Sequence, residues 1–199
     1  MSTSQKITTP RGELRWVFIT GDGKEDLNGK PRYTASLVLK EDSPECKKLL
    51  ATIDTFWEEN KPKGAGKPKS TGVHPVTDTG RRDGNPTGYL SFDFWTGTSF
   101  TNKKTGTVEQ KVVKTYNAKA AQVDLCGKQI GNGSQGAISG SMGIYSNGPN
   151  KGVTLYLNSI QITKFVEYSD NSFEAATDVD DEEAFTGVQP DDAEGFTSV

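Results

Sequence analysis

Apolar side chains recur at every second position over most of the first 168 residues, which predicts strands. Leu14, Trp16 and Phe18 alternate with Arg15 and Val17, and Gly21-Asp22-Gly23 closes that segment. After a turn around Asn28-Gly29-Lys30-Pro31, Tyr33, Ala35, Leu37 and Leu39 keep period two and share one face of a second strand. Further strand-like runs are Tyr89–Trp95, Val108–Tyr116, Ala137–Tyr145, Val153–Leu157 and Ser159–Tyr168. Asn147-Gly148-Pro149-Asn150-Lys151-Gly152 marks a turn between two of them.

One segment has helical spacing instead. Cys46, Leu49, Leu50, Ile53 and Trp57 recur on one stripe running to about Asn60. Ser43 is placed to cap it, Pro44 suits its first position, and Glu45 complements the helix dipole. That stripe reads as core, so Cys46 and Trp57 are structural. From helix to next strand runs a Gly/Pro-rich connection, residues 61–69 followed by Arg81-Arg82-Asp83-Gly84. Few helices and many turns predict a mainly β, partly open antiparallel barrel with one inserted helix.

The pattern stops near residue 168. Residues 169–199 lack any sustained apolar period and mix acids with Ala, Thr, Gly and Pro190. Such a segment buries too little surface to offset chain entropy, so an acidic, disordered tail is expected behind a domain of residues 1–168. Charge sharpens this division. The net charge is only -3, yet every one of the 23 Lys+Arg lies before residue 165, while 11 of the 26 acids lie in 167–199. A basic body with an acidic tail is a polyanion binder carrying its own polyanion mimic.

Several chemistries find little support. Two cysteines and one histidine give neither a disulfide framework nor the four ligands of structural zinc. No cofactor is implied. No apolar run approaches a membrane span and the start has no signal-peptide core, so a cytoplasmic protein without membrane contact is expected. Gly131-Asn132-Gly133-Ser134-Gln135-Gly136 spells a dinucleotide fingerprint, but a strand-like run follows it where a helix is required. It reads as a flexible loop. His74 has no nucleophile pattern nearby. Asp78, Asp83 and Asp93 lack a metal-binding spacing, which leaves a magnesium-dependent nuclease as a minor alternative to a protein without enzymatic activity.

Binding nucleic acid without reading base edges needs cations for phosphates and flat rings for bases. If Leu90, Phe92 and Phe94 face the core, Tyr89 and Trp95 share the outer face of their strand. Phe100, Lys103 and Lys104 follow, then Lys111, Lys114 and Tyr116. The expected stacking rings are therefore Tyr89, Trp95, Phe100 and Tyr116. The expected phosphate contacts are Lys61, Lys63, Lys67, Lys69, Arg81, Arg82, Lys103, Lys104, Lys111 and Lys114. Such a barrel is compatible with an OB-fold, whose face and loops bind oligonucleotides. A β-rich virion or assembly module with a solubilising tail is the competing reading.

The run Ile130-Gly-Asn-Gly-Ser134, the segment ending at Tyr145, the Asn147–Gly152 turn and the strand Gly152-Val-Thr-Leu-Tyr-Leu-Asn-Ser-Ile-Gln-Ile162 together form a recognisable series. This series resembles the closing section of tailed-bacteriophage single-stranded-DNA-binding proteins. Arg82-Asp83-Gly84 ahead of a strand resembles their middle section. The resemblance implies an OB-fold acting on single-stranded DNA in phage replication or recombination, in the cytoplasm of an infected bacterium. It also implies that the tail, with Asp180, Asp181, Glu182, Glu183, Asp191 and Asp192 around Phe185 and Phe196, meets a replication polymerase or helicase. A homodimer is compatible with this reading.

Overall fold

A computed structural model describes residues 4–26, 28–80 and 83–169. Twelve strands and one helix follow in chain order: β1 (Ser4–Thr8), β2 (Gly12–Phe18), β3 (Lys24–Glu25), β4 (Pro31–Lys40), α1 (Pro44–Asn60), β5 (Val73–Thr77), β6 (Pro86–Gly97), β7 (Ser99–Thr101), β8 (Val108–Gln110), β9 (Lys114–Tyr116), β10 (Gln122–Val123), β11 (Ser134–Asn147) and β12 (Asn150–Lys164). Arg81, Arg82 and the tail residues named above lie outside the described residues.

Five strands close a ring in the order β2-β4-β6-β12-β11, with β11 returning to β2. The ring is antiparallel except at the β6–β12 seam, where Phe94 faces Leu155 and Trp95 faces Tyr156 in parallel. This is the OB-like barrel expected from the pattern, with the ring closed. The seam holds because each of the two strands offers alternating side chains to the same interior. Phe92, Phe94, Leu155 and Leu157 are all buried there.

The interior follows parity. Tyr33, Ala35, Leu37 and Leu39 of β4 point inward, as do Leu90, Phe92 and Phe94 of β6. At about 1.5–3 kcal/mol for each large apolar side chain removed from water, this face supplies most of the barrel's cohesion. In α1, Ser43 accepts the Cys46 amide at 3.1 Å, as its capping role requires. Cys46, Leu49, Ile53 and Trp57 are buried in the barrel core, joined by Phe56, which the spacing argument left out. The helix packs on β4, β11 and β12.

Four strand assignments need correction. The alternation Leu14, Trp16, Phe18 breaks, because β2 carries one extra residue between Arg15, paired with Ser36, and Phe18, paired with Thr34. Leu14, Val17 and Ile19 go inside, and Trp16 is 58% exposed. Val108–Tyr116 is two strands in different sheets, since β8 pairs with β7 and β9 with β12. Val153–Leu157 and the first part of Ser159–Tyr168 are one strand, β12. Gly136 is a strand residue rather than part of a flexible loop: a Cβ there would stand 2.1 Å from the Gln161 carbonyl oxygen. Gly140 is similarly placed, 2.3 Å from the Tyr156 carbonyl oxygen. These two close approaches let β11 cross β12 tightly, and each coincides with a register shift.

Candidate nucleic-acid interface

Strand register, not sequence proximity, assembles the outer face. Phe18 pairs with Thr34, Thr34 with Trp95, and Trp95 with Tyr156, so one cross-strand row runs over β2, β4, β6 and β12. Their neighbours on each strand are buried, and these four side chains are not. Trp95 and Tyr156 have ring centroids 5.4 Å apart at a 59° tilt. The Arg32 guanidinium sits 3.9 Å above the Trp95 ring, and the Lys24 ammonium 5.4 Å from the Phe18 ring. Phe18 and Trp95 are thus each paired with a cation, an arrangement favoured by the ring quadrupole.

The loop from β2 to β4 positions Arg32. Asp26 accepts the amides of Asn28 at 2.8 Å and Lys30 at 3.0 Å, and pairs with Arg32 at 2.5 Å. These amides, chiefly that of Lys30, hold the Asp26 carboxyl below the usual carboxylate range. Arg15 on the same face is bound by Glu13 at 2.6 and 3.0 Å, which offsets its charge and raises its pKa. Next along β6, Asp93 accepts the Ser36 hydroxyl at 2.8 Å and the Ser91 hydroxyl at 2.6 Å, with His74 Nε2 3.6 Å away.

The expected residues are distributed unevenly. Trp95 lies at the centre of the row, half-buried. Tyr89 is 44% exposed on the same face, opposite Lys40 at the far end of β6. Phe100 is 48% exposed but belongs to the β7–β8 hairpin, and Lys103 and Lys104 are exposed in the turn of that hairpin. Lys114 is exposed on β9, and Tyr116 is half-buried opposite Gln161 of β12. Lys111 is drawn inward: its ammonium donates to the hydroxyl of Thr96, a buried residue, and burial lowers its pKa below the usual lysine range.

Residues 61–72 are less free than their composition suggests. Lys61 is ion-paired with Glu58. The Trp57 indole donates to the Gly66 carbonyl at 3.2 Å, and the Lys69 amide to the Lys151 carbonyl at 2.8 Å. The Val153 amide donates to Ser70 at 3.0 Å and the Asp93 amide to Gly72 at 2.8 Å, so the segment lies along β12 and reaches β6. Lys63 and Lys67 remain exposed, while Lys69 Nζ donates to Asn150 Oδ1 at 2.7 Å. A cleft of about 870 Å³ opens between this segment, β5 and the β11–β12 hairpin, lined by Lys69, His74, Tyr145, Asn147 and Asn150.

Phe18, Lys24, Arg32 and Tyr156 also belong to this candidate face, although none is among the expected residues. Arg32 was within reach, because inward Tyr33 and Ala35 require outward Arg32 and Thr34. Tyr156, between buried Leu155 and Leu157, was equally deducible; its meeting with Trp95 was not, since that needs the closed ring. The carboxylates of the nuclease alternative do not gather. Asp78 is occupied by Asn85, whose amide and side chain donate at 2.9 and 3.0 Å and hold it below the usual carboxylate range. Among the described residues no cluster of three His, Cys, Asp or Glu side chains could hold a metal ion. Among them, too, no helix is long and apolar enough to cross a membrane.

Counted along the barrel, β4 and β6 are its second and third strands, and the outer face over them is where OB barrels take oligonucleotides. The chain therefore has an OB-like barrel with rings and cations on the outer face over these strands.

Solved structures share this architecture. The single-stranded DNA-binding protein gp2.5 of bacteriophage T7 aligns over 86% of this chain and 98% of its own, with a TM-score of 0.62 and 19% identity. The bacteriophage Enc34 single-stranded DNA-binding protein, in complex with single-stranded DNA, aligns over 81% and 88%, with a TM-score of 0.58 and 13% identity. No family model and no curated protein matches the sequence.

Proposed function

We propose that this protein binds single-stranded DNA across the β2-β4-β6-β12 face, without catalysis, in phage replication or recombination. The row Phe18–Thr34–Trp95–Tyr156 is the observation that carries the reading. Trp95 and Tyr156 stack bases, and Arg32 and Lys24 lie beside the rings to meet phosphates. Single-strand preference follows from stacking, because a duplex keeps its base faces covered. The strand continues toward the cleft by the β11–β12 hairpin, where Lys69 supplies charge, with Lys63 and Lys67 on the same connection. Lys103, Lys104 and Lys114 extend the cationic surroundings. The two phage proteins of like fold are single-stranded DNA-binding proteins, which supports the same ligand here.

The tail, residues 169–199, competes for this face as a polyanion. DNA displaces it and releases Phe185 and Phe196 to a replication polymerase or helicase. Titration of intrinsic tryptophan fluorescence with oligo-dT at several salt concentrations tests both parts. Quenching with salt-dependent affinity is expected, and removal of residues 169–199 should tighten binding at low salt. A chain whose fluorescence ignores oligo-dT is the β-rich assembly module instead. Equal affinity with and without the tail ends the competition mechanism alone.

A further inference from the structure

Trp16 holds a backbone conformation that its side chain opposes. Its φ is 52°, in the left-handed region that glycine adopts freely and bulky residues resist. Two other non-glycine residues share a positive φ among the described residues, Ala120 and Cys126, and both lie outside the strands. Trp16 is the extra residue of the β2 bulge: Val17 fills the interior beside Ala35, and the residue before it is expelled. Bulges with a left-handed first position ordinarily place glycine there.

The expelled backbone is held from both sides. The Trp16 amide donates to Asn132 Oδ1 at 3.0 Å, and the Thr34 hydroxyl donates to the Trp16 carbonyl at 3.3 Å. Asn132 lies in the turn that leads into β11, 116 residues away, so the conformation is fixed by the tertiary fold. Thr34 is itself a member of the ring-bearing row. Strain retained at an exposed aromatic, with no burial to offset it, points to a use outside the folded chain.

We infer that Trp16 is a further base-stacking subsite, a fixed ring that takes a nucleobase at the β2 border of the face. This inference rests on the proposed single-stranded DNA binding. Its position fits that use: Arg15 and Phe18 flank the bulge on the outer surface, and Phe18 begins the row that crosses to Tyr156. A strand crossing the barrel from Tyr156 toward β2 therefore meets Trp16 as it leaves.

Trp16→Gly in the full chain separates strain from binding. Oligo-dT affinity should fall at least about fivefold, since base–aromatic stacking is worth about 1–3 kcal/mol. The salt slope should stay unchanged, because the ring touches no phosphate. The melting temperature should be equal or higher, as glycine relieves the positive φ. Trp16→Asn, which also tolerates that φ, should repeat the loss, and Trp16→Phe should restore most of the affinity. Unchanged affinity in the glycine and asparagine variants, or a lowered melting temperature in both, overturns the inference. So does a change confined to sedimentation mass, which would make Trp16 a contact with a second copy. A wild-type chain that fails to bind oligo-dT removes the proposed function itself, a result read before any variant is made.

Discussion

Two regions of the barrel present cations, and they are built on opposite principles. On the barrel face, two cations are set against rings: Arg32 is pinned by Asp26 above Trp95, and Lys24 lies by Phe18. In the 61–72 connection the backbone is fastened to β12 and Trp57, whereas the ammonium groups of Lys63 and Lys67 are left exposed. The first arrangement positions rings and charge together and is suited to bases. The second supplies charge without orientation and is suited to phosphates. Removing residues from the two regions should therefore change different observables.

The largest effect is expected from Trp95→Ala. Loss of a stacked base costs about 1–3 kcal/mol of single-strand affinity. The salt slope should hold, and the fold should survive because the ring lies on the outer surface. Competition titration with a labelled oligo-dT, alongside a melting curve, checks both. A variant that loses slope instead would erase the distinction between the regions. Replacing Lys63, Lys67 and Lys69 together by Ala should lower the log–log salt slope by roughly two units, at about 0.7 per phosphate contact. Quenching at saturation should persist. An unaltered slope removes the connection from the interface.

The smallest effect concerns pH. The Asp26 carboxyl has a folded pKa below its unfolded value, so its support is present above the unfolded pKa of about 3.8 and is lost as pH falls through the folded value. Acid should therefore release the Arg32 loop below about pH 3.8, with a change in tryptophan emission. Asp26→Asn should abolish that acid step. A step that survives the substitution comes from another carboxylate.

Local rules made much of this molecule legible. Ser43, Pro44 and the Cys46–Trp57 stripe announce α1, because capping and amphipathicity act within a few residues. Period two in β4 and β6 gives the inside and outside of each strand, hence the exposure of Tyr89 and the outward position of Trp95. What stayed hidden depends on pairing across long stretches of chain. Tyr156 joins Trp95 only through the parallel seam, and Phe18 aligns with Thr34 only because the bulge adds one residue. The alternation Leu14, Trp16, Phe18 breaks for the same reason: a single extra residue inverts parity, and nothing near residue 16 signals it. Lys111 looked like surface charge because its reach toward Thr96 exists only once the β7–β8 hairpin returns the chain to the end of β6.

The contacts at Gly136 and Gly140 also constrain what the barrel can do on meeting a ligand. With backbone oxygens only 2.1 and 2.3 Å from where a β-carbon would stand, the crossing has no room for a side chain at either position. The span from Phe18 to Tyr156 is set by strand pairing within a closed ring. Under the proposed function, a single strand laid across this face would have to stretch or bend its sugar–phosphate chain until its bases match the spacing of the rings.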